Sequence, residues 1–231
     1  MKKDSKFLSV LTSLLLAVAL ITGAVAVPIL WRGFYYGQID SLALPAQTDF
    51  SPDIIREAFD EVMDYLVFDG EFGTGALRWS ESGMAHFADC KVLFRVDFLV
   101  LALSLVMLGL VALLCRLGKK RLHPFLGRGP CFWAFAGMLA VLGLFGIWAL
   151  LDFDSLFTAF HLVFFPGKTN WTFDPRLDQI ILILPEAFWA RAAALVAGLA
   201  LGGGLLLAIA EGLLRRKKVL TVYEELKDLG K

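Results

Sequence analysis

Charge is scarce in this chain of 231 residues: Asp, Glu, Lys and Arg make up 19%, against 58% hydrophobic residues, and the 22 basic side chains cancel the 22 acidic ones. Soluble domains carry about 25% charged and about 45–50% apolar residues, so this composition excludes an ordinary soluble domain and a disordered chain. A net charge of zero gives no footing for nucleic-acid binding. Cysteine is limited to Cys90, Cys115 and Cys131, too few for a disulfide scaffold. The sequence contains no G-x-S-x-G elbow, P-loop, H-E-x-x-H or C-x-x-C pair. It also lacks internal repeats and low-complexity linkers.

What fills the space is apolar sequence. Residues 7–31, 98–115, 129–151 and 192–210 carry no charge. A helix needs roughly 20 apolar residues to cross a hydrocarbon core about 30 Å thick. The expected fold is therefore an all-α integral membrane protein forming a single membrane domain over 1–231, with spans at about 7–30, 96–115, 130–151 and 188–213. The first run is too long for a signal-peptide core of about 7–15 residues, despite Ala24-Val25-Ala26, and reads as a retained anchor. Gln179 to Pro185 is too short to span. It is expected to extend the fourth helix or to lie at the interface, with Pro185 marking a bend.

The connecting segments differ in charge. The first six residues, the 116–128 loop and the 215–231 tail hold 3, 5 and 6 basic residues, whereas segments 31–94 and 152–187 hold 11 and 5 acidic ones. The positive-inside rule places both termini and the middle loop in the cytoplasm. The two acidic segments then face outward and form a partly helical extracytoplasmic cap. Within the first, Ser51 and Pro52 open a helix whose apolar side carries Ile54, Ile55, Ala58, Phe59, Val62, Met63 and Leu66 and which ends at Asp69-Gly70. Packed on the outer ends of the spans, it would cover them as a cap or lid.

Only two histidines fall in the outward segments. His86 and Asp89 lie three apart on a helix entering the second span and so share a face, a spacing that lets a carboxylate orient an imidazole. His161 sits among Phe157, Phe160, Phe164 and Phe165, with Trp171 following. An ionisable group in such surroundings is costly without a partner and marks a functional candidate. Asp89 or Asp178 with both histidines leaves a metal site open, but no compact ligand spacing supports it, and general acid–base use is preferred.

The stretches His86-Phe-Ala-Asp89-Cys90-Lys91 and Phe160-His161-Leu-Val-Phe164-Phe165…Trp171-Thr-Phe-Asp174-Pro175…Asp178-Gln-Ile-Ile-Leu-Ile-Leu-Pro185-Glu186-Ala-Phe188 resemble the lipoprotein intramolecular transacylase (Lit) family of Gram-positive bacterial membrane proteins. The first motif departs from the family's H-x-x-D-V-K by placing Cys90 where valine stands, which makes Cys90 a poor nucleophile candidate. The resemblance implies transfer of the sn-2 acyl chain of a diacylglyceryl lipoprotein to the α-amine of its N-terminal cysteine, leaving a lyso-form. It implies His86 and His161 as the catalytic pair, with no metal or soluble cofactor.

That chemistry suits the residues. An α-ammonium titrates at about 8, so an imidazole is a fitting base. Asp89 is expected to orient His86, or Asp178 to orient His161. Lys91, Asn170 or the Trp171 indole would meet the oxyanion, and Asp174 belongs to the same motif. The four phenylalanines would grip acyl chains. The expected partners are the lipoprotein and membrane lipid, without nucleic acid. Two other readings remain: an ion-relay transporter using Asp97, His161 and Asp178, and a non-catalytic assembly partner presenting Gly198 and Gly202-Gly203-Gly204.

Overall fold

The computed structural model describes residues 3–229. Its elements are β1 (Lys3–Ser5), α1 (Lys6–Leu30), α2 (Arg32–Ser41), α3 (Leu44–Thr48), α4 (Pro52–Phe68), α5 (Glu81–Arg116), β2 (Lys120–Leu122), α6 (Pro130–Leu151), α7 (Phe153–Phe164), a 3-10 turn (Gln179–Ile183) and α8 (Glu186–Leu229). Among the described residues four helices are long and apolar enough to cross a membrane: α1, α5, α6 and α8. Each covers one of the charge-free runs, α1 ending one residue short at Leu30 and α6 starting one residue in at Pro130. In α5 the charge-free run 98–115 is preceded, in the same helix, by the more polar residues 81–97. The protein is a multi-pass membrane protein.

The chain forms two compact units. The first comprises the stretch ending at Ile21, Val100–Gly143 and the stretch beginning at Gly198. Hydroxyls along α1 are satisfied inside the helix: Ser9 donates to the Ser5 carbonyl at 3.1 Å and Thr12 to Leu8 at 2.6 Å. This is how a spanning helix tolerates polar side chains without water. Gly204 permits close packing of α8 on α6, since a Cβ there would stand 2.6 Å from Met138 Cε and 3.4 Å from a Phe135 ring carbon. Glu211 on α8 accepts from the Phe132 amide at 3.3 Å, capping the start of α6. Strands β1 and β2 pair in parallel, Lys3 with Lys120 through Ser5 with Leu122. Nothing in three-residue segments of this composition announces a strand.

The second unit comprises Thr22–Leu99 and Leu144–Ala197 and holds the main core. Ser51 caps α4 by accepting from the Ile54 amide at 3.3 Å, and Asp69 itself adopts the left-handed conformation (φ 60°) that ends the helix. The apolar stripe of α4 is buried through Ile55, Ala58, Phe59, Val62, Met63 and Leu66. Fully burying such a side chain contributes about 1.5–3 kcal/mol. The stripe packs on α2, α3 and the 3-10 turn, in a core that also takes in Ile29 of α1, Phe87 of α5 and Phe188 of α8, while the charged side of α4 stays exposed or half-buried.

The segment Gln179–Pro185 does not extend α8, one of its two expected placements: it is a 3-10 turn set off from that helix at Pro185. Ile180, Ile183 and Leu184 are buried in this core, and α8 begins only after Pro185. Tyr35 locks the turn in place. Its ring stacks on Phe59 with centroids 3.8 Å apart, and its hydroxyl donates to the Ile183 carbonyl at 2.8 Å.

Candidate active site

The second unit brings His86 and His161 together. His86 projects from the polar extension of α5 and His161 from the last turn of α7. Their ring centroids lie 5.8 Å apart, and each residue is only 6% exposed. Asp152 caps α7 through the Ser155 amide at 3.0 Å, which fixes where that helix begins and hence where His161 points. Aromatic rings form the walls. Phe165 and Phe173 present their edges to His86 at 4.9 and 5.4 Å, while Phe157 (4.2 Å) and Trp171 (4.8 Å) flank His161.

The hydrogen bonds assign one tautomer. His161 Nδ1 lies 2.7 Å from the Phe157 carbonyl oxygen, which can only accept. Nδ1 therefore carries the proton of the neutral ring, and Nε2 holds the free lone pair. Nε2 of His86 lies 3.4 Å from the Cys90 sulfur, and Nδ1 of His86 is buried without a hydrogen-bond partner. Burial, and then the neighbouring His161, lower the His86 pKa from 6.5 to about 4 against the opposing pull of Asp89. Burial also lowers that of His161, partly offset by its bond to Phe157. Both rings are thus neutral near neutral pH, the state in which an imidazole accepts a proton. The Cys90 thiol is pushed up to about 12 by burial and then by Asp89, so it stays protonated and poorly nucleophilic.

The polar residues take different partners from those expected. Asp89 accepts from Lys168 and from Asn170 Nδ2 (3.0 Å), not from His86. Burial opposes its ionisation, but those two bonds outweigh it and hold the carboxyl below its usual range. Asp178 is buried and accepts from the Ser80 amide at 2.7 Å and the Ser80 hydroxyl at 2.8 Å, not from His161. Asp174 closes a local pair with Arg176 at 2.9 Å. In each case the carboxylate fixes a loop rather than a ring.

The expected oxyanion donors are likewise engaged. Lys91 sits 2.7 Å from Asp69 and over the Tyr65 ring, Asn170 is anchored on Asp89, and the single Trp171 N–H donates to the Lys168 carbonyl at 3.0 Å. Of the four phenylalanines, Phe165 is buried against His86 and Phe157 covers His161, whereas Phe160 and Phe164 are 46% and 49% exposed.

Four contributors were not singled out from the sequence: Phe173, Ser80, Lys168 and Gly83. A Cβ on Gly83 would stand 2.8 Å from Asp178 Cγ and 3.1 Å from the Phe173 ring, so only glycine admits this approach. Phe173 lies inside the motif already quoted, between Trp171 and Asp174. Ser80 and Lys168 meet partners 98 and 79 residues away and carry no local signal. Among the described residues no three His, Cys, Asp or Glu side chains converge as metal ligands.

Four long apolar helices define an integral membrane protein, and two neutral imidazoles buried among aromatic rings give it a candidate site for proton transfer. The chain belongs to the lipoprotein intramolecular transacylase family: the family described as "Lipoprotein intramolecular transacylase Lit" matches residues 10–189. Its fold is that of the membrane-integral lipoprotein intramolecular transacylase Lit from Bacillus cereus, with TM-score 0.83, 24% identity, and coverage of 92% of this chain and 96% of that one. A histidine-to-arginine variant of that protein matches with TM-score 0.76 and 24% identity, covering 93% of each chain. A histidine-to-alanine variant matches at 0.75 and 25%, covering 92% of this chain and 94% of that one. No curated protein matches. The chain is accordingly a lipoprotein transacylase, and the transporter and assembly-partner readings are not favoured.

Proposed function

We propose that this transacylase moves the sn-2 acyl chain of a diacylglyceryl lipoprotein to the α-amine of the same molecule's N-terminal cysteine. The observation that carries the reading is the pairing of His161, its Nδ1 committed to the Phe157 carbonyl, with His86 at 5.8 Å in an aromatic recess. The amine attacks the ester carbonyl, and a C–N bond forms as the C–O bond to glycerol breaks. His161 Nε2 takes the proton from the attacking nitrogen, and the imidazolium returns it to the departing glyceryl oxygen. With Cys90 donating to Nε2, His86 holds its own proton on Nδ1. That unpartnered N–H meets the charge developing on the carbonyl oxygen.

Asp89, Lys168 and Asn170 tie the loop after α7 to α5, and Asp178 with Ser80 ties the two ends of the cap. These residues position the two rings and do not themselves touch the ester. The exposed Phe160 and Phe164 guide acyl chains toward His161. Nucleophile and ester lie in one molecule, so alignment supplies much of the acceleration. We further propose a single membrane domain with both termini cytoplasmic and the histidine pair on the outer face, on the strength of the Lys/Arg asymmetry. The test is mass spectrometry of lipoprotein N-termini from cells with and without the protein. An N-acylated lyso-form dependent on the protein is expected, and unchanged N-termini would overturn the proposal.

A further inference from the structure

The first unit holds a recess of about 450 Å³ that the histidine pair does not use, a volume within the range of ligand pockets. The start of α1, the loop ending at Arg128 and the first turn of α6 enclose it. Pairing of β1 with β2 sets the loop beside α1. A tight turn follows, in which Phe125 and Arg128 exchange backbone hydrogen bonds of 3.0 and 2.9 Å across Leu126 and Gly127, both with positive φ. The turn holds Arg128 at the rim. Trp133 donates its N–H to the Phe125 carbonyl at 3.1 Å, which satisfies its only donor and leaves its ring as a wall.

The recess has two chemistries. At one end stand Lys6, Arg128 and His123. Lys6 and Arg128 have no acidic partner among the described residues; the Arg128 guanidinium lies over the Phe132 ring at 5.0 Å. Two acids stand nearby: Asp4, 3.8 Å from His123, and Glu211, which lies against Gly129 and is engaged by the Phe132 amide and Arg215. At the other end, Val10 and Leu14 of α1 are 59% and 61% exposed and continue down the apolar surface of the span. Cations at the mouth and hydrocarbon below match an amphiphile with an anionic head. In the cap, by contrast, Arg32 is paired with Asp60 and Asp64, and Arg95 with Asp69.

We infer that this recess is a binding site for an anionic glycerophospholipid, its phosphate on Lys6 and Arg128 and one acyl chain along Val10, Leu14 and Trp133. Basic pockets between spanning helices recognise headgroups in this way. The site is separate from the transacylase reading and does not depend on it.

Native mass spectrometry of the full-length protein, released from membranes containing equal phosphatidylglycerol and phosphatidylcholine, tests the inference. Retained phosphatidylglycerol is expected to exceed phosphatidylcholine, and Lys6→Gln with Arg128→Gln together to reduce it by about tenfold or more. Val10→Trp, which fills the apolar end without changing charge, should also reduce it. Equal retention of both lipids, or an unchanged double variant, would overturn the site. So would loss of the preference in Arg216→Gln with Lys217→Gln, which would assign it to the tail. Displacement of the lipid by inorganic phosphate would mark a free-phosphate site instead.

Discussion

The sulfur of Cys90 lies 3.4 Å from Nε2 of His86, one helical turn earlier on α5. The contact places a protonated thiol against the one ring nitrogen of His86 that has a partner. A valine at this position could not donate, so the proposed part of the thiol is to bias the His86 tautomer and not to react.

Cys90→Val should therefore keep transacylase activity within about tenfold, whereas His86→Ala and His161→Ala should each lower it by about 100-fold or more, the usual scale for lost acid–base catalysis. Conversion of a synthetic diacylglyceryl lipopeptide, followed by mass spectrometry, reads all three. Full activity in well-folded His161→Ala would remove the proposed base. An inactive, well-folded Cys90→Val would point to a thioester intermediate.

An acid-sensitive fold is expected from the burial of His86, with His161 shifted in the same direction. The His86 pKa is about 4 in the folded chain against an ordinary 6.5. Between those values the unfolded chain binds a proton that the folded chain refuses, so stability is full above about 6.5 and falls as pH drops toward about 4. Thermal unfolding in detergent should follow that course, and His86→Phe should flatten it. An identical acid limb in the variant would assign the proton uptake to another group.

Gly83→Ala offers a lesion near the site without removing any proposed catalytic group. The added Cβ presses on Asp178 and Phe173, the latter packed against His86. Displacing the ring by a fraction of an ångström should cost activity by about tenfold to 100-fold, together with a lower unfolding temperature. Wild-type turnover in this variant would show that the Ser80–Asp178 junction does not position His86.

Chelation should leave the reaction intact, because the nucleophile is the substrate's own amine and no metal-activated water is needed. Dialysis of the purified protein against a strong chelator, followed by the lipopeptide assay, checks this. Activity lost on chelation and restored by zinc would recast His86 and His161 as ligands.

Topology is open to thiol labelling in intact cells. Cysteine at Ser41 or Thr169, both exposed, should react with an impermeant reagent, and cysteine at Lys119 should not. Lys119 is preferable to its neighbour Gly118, whose φ of 72° would strain any side chain. Labelling at Lys119→Cys alone would invert the orientation.

The spans were legible because crossing a bilayer demands only length and apolarity, and both are written in consecutive residues. The α4 stripe and the Ser51 cap were legible for the same reason. Gln179–Pro185 was read as a possible extension of α8 because its apolar run has no polar face to mark which side meets the core; Ile180, Ile183 and Leu184 are buried while Leu182 is exposed. The two histidines could be named from sequence, but their partners could not. Asp89 shares a helical face with His86 and still reaches instead to Lys168, 79 residues away. Spacing along a helix reports which side chains are near each other, not which distant loop competes for them.

The bond from Tyr35 to the Ile183 carbonyl spans 148 residues of sequence. During synthesis Tyr35 emerges before three of the four spanning helices, and its hydroxyl waits for an acceptor until almost the whole chain has been made. The part of the protein that carries both histidines is therefore assembled late. A chain ending before Ile183 would hold both histidines and their ring neighbours but lack the acceptor that ties Tyr35 to the last turn of the cap.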